Sequence, residues 1–299
     1  MTEEEKYQKY KEIMLEGNQD IDLKNVDAGD KGLIAFLGKG ITADLKIREF
    51  DTKCEHKFYI MDISNDNHII YIPRDVEHIE SKFAAVGLYS YPIQALRGTV
   101  KVQGGEGLKA IDGLFADCII DVLDLSKLKI TNALSIDSAF KGSQINELRL
   151  GNGFKVSNIN RAFERGTFGD LNLNSLDMSE VAELNWTFSN TIMKSLHIDK
   201  WNTEKVESMS YMFSGVSLNE LNLTSWNLEN LRYASNMLGG AWISLLDISN
   251  INISKLRNKK DIFNRLETFE IKMRKEDYEN EEISKEISKI NEYTRIAIV

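Results

Sequence analysis

From Leu171 onward the apolar residues return with a period of 25. LNLNSLDMSEVAELNWTFSN begins at Leu171, LHIDKWNTEKVESMSYMFSG at Leu196, LNLTSWNLENLRYASNMLGG at Leu221 and LDISNINISKLRNKKDIFNR at Leu246. Within each unit the inward places are the first, third, sixth, eighth and eleventh, and then a pair at seventeen and eighteen. In the unit from Leu196 these are Leu196, Ile198, Trp201, Thr203, Val206, Met212 and Phe213. Spacing of two at the start of a unit predicts a short strand. Spacing of three and four later, through Val206, Met209, Met212 and Phe213, predicts a helix of about three turns. Asp177, Asn202, Asn227 and Asn252 share the seventh place, where a short polar side chain is expected to cap that helix, and Asp177 with Glu180 fits a capping box.

The array extends upstream. LDLSKLKITNALSIDSAFKG from Leu123 keeps the whole pattern, and LRLGNGFKVSNINRAFERG from Leu148 keeps it with two residues deleted. A degenerate unit counted back to Gly98 places Val100, Leu108, Ile111, Leu114 and Phe115 inward. One unit cannot bury its apolar side alone, whereas stacked units make a continuous core. The expected fold is therefore an α/β repeat solenoid, a leucine-rich-repeat-like right-handed array of about seven strand-helix units over 98–274. It is flanked by a small N-terminal α+β domain, 1–97, and a C-terminal helical cap, 275–299. In the first flank, residues 1–17 predict an amphipathic helix bearing Tyr7, Tyr10 and Met14, and the runs KFYIMDI and HIIYIP, separated by Ser64-Asn65-Asp66-Asn67, predict a hairpin. In the last flank, FEIKM at 269–273 predicts a strand, Ile283, Ile287 and Ile290 line a charged helix, and TRIAIV supplies a closing edge strand.

These units resemble the BspA-type leucine-rich repeats of bacteria and mycoplasmas, which read roughly L-D-L-S-x-W-x-T-S-x-V-x-x-M-x-x-M-F-x-G-C. Leu123 to Ser126 reproduce the opening, Trp201 and Trp226 take the tryptophan place, and Met209, Met212, Phe213 and Gly215 match the end. The resemblance implies a surface adhesion or interaction module. This sequence starts with an acidic, polar stretch where an export signal would be basic and then apolar, so binding through the repeats is the expectation retained.

Charge and cysteine content narrow the function. A net charge of −9 argues against direct binding of nucleic acid. The acidity gathers at the ends, with nine acids against four bases in residues 1–30 and seven against four in residues 275–299. That distribution leaves open an acidic inhibitor or decoy of a nucleic-acid-handling complex, of mobile-element origin. No run reaches the eighteen apolar residues of a membrane span, and two cysteines make no disulfide framework, so a cytoplasmic location without membrane contact is expected.

Catalytic and cofactor signals are thin. Cys54-Glu-His56, with His68 and His78 as the nearby imidazoles, falls short of a four-ligand zinc set. The stretch around Gly38-Lys39-Gly40 lacks phosphate-loop spacing, and Gly104-Gly105-Glu106-Gly107 lacks the setting of a dinucleotide turn. Cys118, at the twenty-first place of its unit, reads as a buried thiol. His197 and Asp199 should project together without a serine or cysteine at a recognisable spacing. Neither catalytic residue, metal nor cofactor is expected. Trp201 and Trp226 should form a ladder, in the core or as a rim platform.

What remains is the outward row of the strands: Glu147, Arg149, Asp170, Asn172, Asn174, Ser195, His197, Asp199, Glu220, Asn222, Thr224 and Asp247, with Ser249 beside the last. The row is polar, mixed in sign and continuous over five units. It fits a non-enzymatic monomer that binds another protein along this face.

Overall fold

The computed structural model describes residues 96–299 together with the backbone of three upstream strands. Its framework is a parallel β-solenoid of about eight turns. Twelve strands form one long sheet: β1 (Arg48–Phe50), β2 (Phe58–Ser64), β3 (Asn67–Ile72), β4 (Leu96–Gly104), β5 (Ile119–Leu128), β7 (Gln144–Arg149), β9 (Thr167–Asn172), β11 (Ile192–His197), β12 (Ser217–Asn222), β13 (Trp242–Asp247), β14 (Glu270–Met273) and β15 (Arg295–Ile298), each beside the next. The short strands β6 (Leu134–Ser135), β8 (Phe154–Asn158) and β10 (Leu176–Asp177) make a second parallel sheet.

The 25-residue period is realised as strand register. Leu123 pairs with Leu148, Leu171 with Leu196, Leu221 with Leu246, and Leu246 with Ile271. The pairing Ile192↔Ser217 carries the same offset across the middle of the array. The two residues missing from the unit at Leu148 are absorbed before β8 ends, where the bridge of Leu134 to Val156 steps to Ser135 with Asn158. The first coil departs from the expected count. Leu123 pairs with Val100, not Gly98, and a register shift between Lys101 and Gln103 recovers part of the difference. The strands also begin earlier than the leucines suggested: β12 starts at Ser217, four residues before Leu221.

The expected helices are absent from the repeats. Between one long-sheet strand and the next the chain makes successive tight turns, with backbone in the left-handed region at two places four residues apart in each coil: Arg161 and Arg165, Trp186 and Asn190, Tyr211 and Gly215, Asn236 and Gly240. An α-helix would send each amide back four residues. Here the amides alternate. Ala162, Glu164 and Gly166 donate to carbonyls three residues back, at Ile159, Arg161 and Phe163, while Arg161, Phe163 and Arg165 donate forward to Asn185, Thr187 and Ser189 of the next coil. The turns are thus tied both to themselves and to their neighbours. Both a helix and this turn series bring the fourteenth, seventeenth and eighteenth places inward, which is why the spacing imitates a helix.

The residues at the seventh place serve the turns. Asp177, Asn202 and Asn227 accept from the amide two residues on, at 3.0, 3.1 and 3.2 Å, and only Asn252 caps a helical segment, the three-residue 3-10 turn Ile253–Lys255. Glu180 does not complete a capping box; it reaches Lys155 at 3.4 Å and Lys205 at 3.3 Å.

The core runs through the coils as a column. Phe115, Phe140, Phe163, Phe188 and Phe213 stack face to face with centroids 5.9, 5.3, 5.4 and 5.8 Å apart, and Leu238 and Phe263 are buried farther along the array. Trp201 and Trp226 stack beside this column at 5.6 Å, buried, with their indole N–H groups donating to the Leu173 and Ile198 carbonyls. They belong to the core and offer no rim platform.

The flanks join the same sheet. β2 and β3 form the expected antiparallel hairpin, and β3 pairs in parallel with β4. The helix expected at 1–17 lies outside the described residues. Residues 275–299 wind on as a further coil: short helices at Lys275–Tyr278 and Glu281–Ile287 replace the turns, and β15 pairs with β14 at Ile271↔Ile296. Ile283 and Ile290 are buried in that coil and Ile287 is half-buried. The carboxylate of Asp277, fully buried, accepts from the amides of Ile253 and Ser254 at 3.0 and 2.8 Å.

Candidate functional site

Parallel in-register pairing turns equivalent places of successive coils into straight rows. Glu147, Asp170, Ser195 and Glu220 occupy one such row, with Asp170 paired directly to Ser195. Arg149, Asn172, His197, Asn222 and Asp247 occupy the next, with Asn172 opposite His197 and Asn222 opposite Asp247. Asn174, Asp199 and Thr224 follow just beyond the strand ends. All twelve side chains are exposed or half-exposed on one side of the long sheet.

Much of this row is already engaged. Asn172, Asn222 and Asp247 accept from the amides of Asn174, Thr224 and Ser249, so each holds a turn as well as facing outward. Glu147 and Arg149 form a two-bond ion pair at 2.7 and 3.0 Å, and that hydrogen bond from Arg149 holds the Glu147 carboxyl below its usual range. Asn174 bridges coils, donating to Asp199 at 2.7 Å and accepting from the Lys200 amide at 3.0 Å. Its donation is the main reason the Asp199 carboxyl sits low. Glu220 makes no hydrogen bond or ion pair among the described residues.

The structure places a serine beside the histidine, which spacing along the chain did not reveal. Ser195 Oγ donates to Asp170 Oδ1 at 2.8 Å and lies 3.3 Å from His197 Nε2. That hydrogen bond, followed by the charge of Lys194, lowers the Asp170 pKa. The order is carboxylate, hydroxyl, imidazole, with the hydroxyl proton committed to the carboxylate. A relay that activates a nucleophile needs the imidazole between the other two. The cluster displays donors and acceptors.

Two features of this face were missed by sequence. The first is an apolar shoulder: Ile192, Trp242, Leu245 and Phe269 are 63, 41, 49 and 69 % exposed on or beside the strands, and the Trp242 and Phe269 rings meet edge to face at 6.4 Å. Ile192 and Trp242 open β11 and β13 four places before the leucines at which the sequence pattern starts each unit, so that pattern marks neither as a strand residue. The second is a cleft of about 360 Å3 between β11 and β12, lined by residues 194–199 and 218–222. A signal for it exists in the sequence only as a row of ordinary leucines.

Cys118 is buried, and burial followed by the charge of Asp117 pushes its thiol up to about 12. No group of three or more metal-ligating side chains occurs among the described residues; Cys54, Glu55, His56 and His78 lie outside them. No helix among the described residues is long and apolar enough to cross a membrane.

No curated protein and no solved structure matches this chain. Residues 157–276, which carry the middle of the strand row and the cleft, are similar to a family described as Mycoplasma protein of unknown function, DUF285, a family related to BspA-like repeat proteins.

Proposed function

We propose that this chain is a non-enzymatic interaction module that binds another protein along the outward side of its long sheet. The observation that carries this reading is the combination, on one continuous side, of the polar row from Glu147 to Asp247 with the exposed shoulder of Trp242, Leu245 and Phe269. Protein interfaces pair aromatic anchors with a hydrogen-bonding surround, and tryptophan is among the residues most enriched where truncation weakens binding most. A solenoid presents such a surface on rigid ladders, so little ordering accompanies docking.

The test is capture of partners from the native host on immobilised full-length chain, identified by mass spectrometry, followed by affinity measurement with two variants. Arg149→Glu combined with Trp242→Ala should weaken binding at least tenfold. Replacing Glu3, Glu4 and Glu5 by Gln should leave it within twofold. Strong dependence on the three glutamates, with steep salt sensitivity and an intact first variant, would overturn this reading in favour of an acidic decoy.

A further inference from the structure

The shortest pairing in the long sheet, that of β11 with β12, lies in the middle of the polar row. Neighbouring strand pairs run in register over several residues, as with Thr167 to Asn172 on Ile192 to His197. β11 and β12 pair only at Ile192↔Ser217. Where a strand ends, the next amide ordinarily reaches forward to the following coil: Leu173 to the His197 carbonyl at 3.0 Å, Leu223 to Asp247 at 3.0 Å and Ile248 to Lys272 at 3.1 Å. The equivalent bond, Ile198 to Asn222, is not made. Leu196 accordingly is half-buried, as is Leu148 where β7 and β9 pair over two residues only, whereas Leu171, Leu221 and Leu246 are 1, 4 and 2 % exposed. The same two coils stay fastened on their turns, where Tyr211, Phe213 and Gly215 each donate to the next coil at 2.9 Å, and Trp201 stacks on Trp226. The opening is therefore a wedge on the strand side of two coils that stay closed on their turn side.

Its lining is amphipathic. Leu196, Leu218 and Leu221 supply apolar surface, and the rim carries Glu220 in the row of Ser195, with Asp199 farther along in the row of Thr224. Asp199 is engaged by Asn174, and Glu220 makes no hydrogen bond or ion pair among the described residues, so the rim holds a carboxylate without a partner there. The nearby basic groups are turned elsewhere: Lys194 sits 3.6 Å from Asp170, and the His197 ring faces Ser195.

We propose that this cleft is the acceptor for an arginine side chain presented by an extended segment of the protein partner. An aliphatic stem lies against the three leucines, the guanidinium meets Glu220, and the carbonyls of the unpaired strand stretch accept its remaining donors. The guanidinium's planar set of five donors suits such a mixed group of acceptors better than an ammonium point charge does. The inference rests on the protein-binding reading and specifies which part of the partner enters the wedge.

The test uses full-length chain and the peptide acetyl-Gly-Gly-Arg-Gly-Gly-amide, followed by amide NMR shifts. The Trp226 indole N–H is a built-in reporter, because it donates to the Ile198 carbonyl beneath the cleft at 2.9 Å. Saturable shifts confined to residues 194–199, 218–222 and the Trp226 indole are expected. The citrulline peptide and the Glu220→Gln variant should each bind at least tenfold more weakly, a lysine peptide should fall between, and Glu267→Gln, an exposed acid outside the cleft, should bind as wild type. Equal binding of arginine and citrulline peptides, indifference to Glu220→Gln, or no saturable shift would overturn the proposal. If the peptide fails while a captured partner still depends on Arg149 and Trp242, only the cleft assignment falls. If the peptide binds but the partner ignores that row, the protein-binding reading falls instead.

Discussion

Replacing Arg165 by glycine asks whether the repeats turn or coil into helices, because the two give opposite signs. Arg165 has φ +58°, in the left-handed region, at the twentieth place of the pattern that Gly215 and Gly240 fill in later coils. An L-residue there costs about 1–2 kcal/mol, which glycine avoids. Glycine adds about 0.5–1 kcal/mol of backbone entropy to be lost on folding. The side chain sacrifices little: it is 69 % exposed and its only ion pair among the described residues, with Glu164, is 3.7 Å long, a contact worth a few tenths of a kcal/mol at such exposure. Arg165→Gly should therefore stabilise the protein slightly, by about 0.5 kcal/mol. In a helix the same change would destabilise by about 1 kcal/mol. The reciprocal variant isolates the backbone term. A Cβ added at Gly240, φ +68°, would meet nothing within 4 Å, so Gly240→Ala should lose about 1–2 kcal/mol from conformation alone. Urea melts followed by far-ultraviolet circular dichroism give both midpoints, compared at equal slope because long arrays need not unfold in two states. A lower midpoint for Arg165→Gly together with an unchanged one for Gly240→Ala would refute the turn assignment.

Leu221→Ala should cost about 2–5 kcal/mol by opening a cavity at a 4 % exposed site, whereas Thr224→Ala, outward on the same coil, should stay within about 0.5 kcal/mol; similar losses in melts of the two would place the register wrongly. Asp277→Ala strands the amides of Ile253 and Ser254 and should destabilise by about 2–5 kcal/mol in the same assay, with Asp277→Asn recovering part of the loss. In a Cys54→Ser background, Cys118 should resist thiol reagent at pH 8 until denaturant is added, because a thiol held near 12 is almost wholly protonated; rapid labelling of the folded chain would contradict its burial. Asp170, Asp177, Asp199 and Asp261 are held low chiefly by bonds from Ser195, Ser179, Asn174 and Lys289. Depressed carboxylates add stability above their unfolded pKa, near 3.9, that is lost as pH falls through the lower folded values, so the urea midpoint should drop as the pH is taken below about 4.

The repeat itself was legible in the sequence because a solenoid makes places 25 residues apart physically equivalent. Leucine at the first place is therefore aligned with leucine, and the pairings of Leu123 with Leu148, Leu171 with Leu196, Leu221 with Leu246 and Leu246 with Ile271 follow from spacing alone. The same equivalence placed the outward row from Glu147 to Asp247 on one side before any coordinate was known. The local conformation between strands was not legible, since the fourteenth, seventeenth and eighteenth places point inward from a helix and from paired turns alike. What decided between them was the next coil, whose carbonyls at Asn185, Thr187 and Ser189 take the amides a helix would have kept to itself and help hold Arg161 and Arg165 at positive φ, as the Ser210 and Ser235 carbonyls do for Trp186 and Tyr211. Which side chains in the row are free, and that β11 and β12 part, also depends on neighbours in adjacent coils. Asn174 reaches Asp199 and Ser195 reaches Asp170 across 25 residues of chain, leaving Glu220 alone beside an opening whose leucines, read in line, look like all the others.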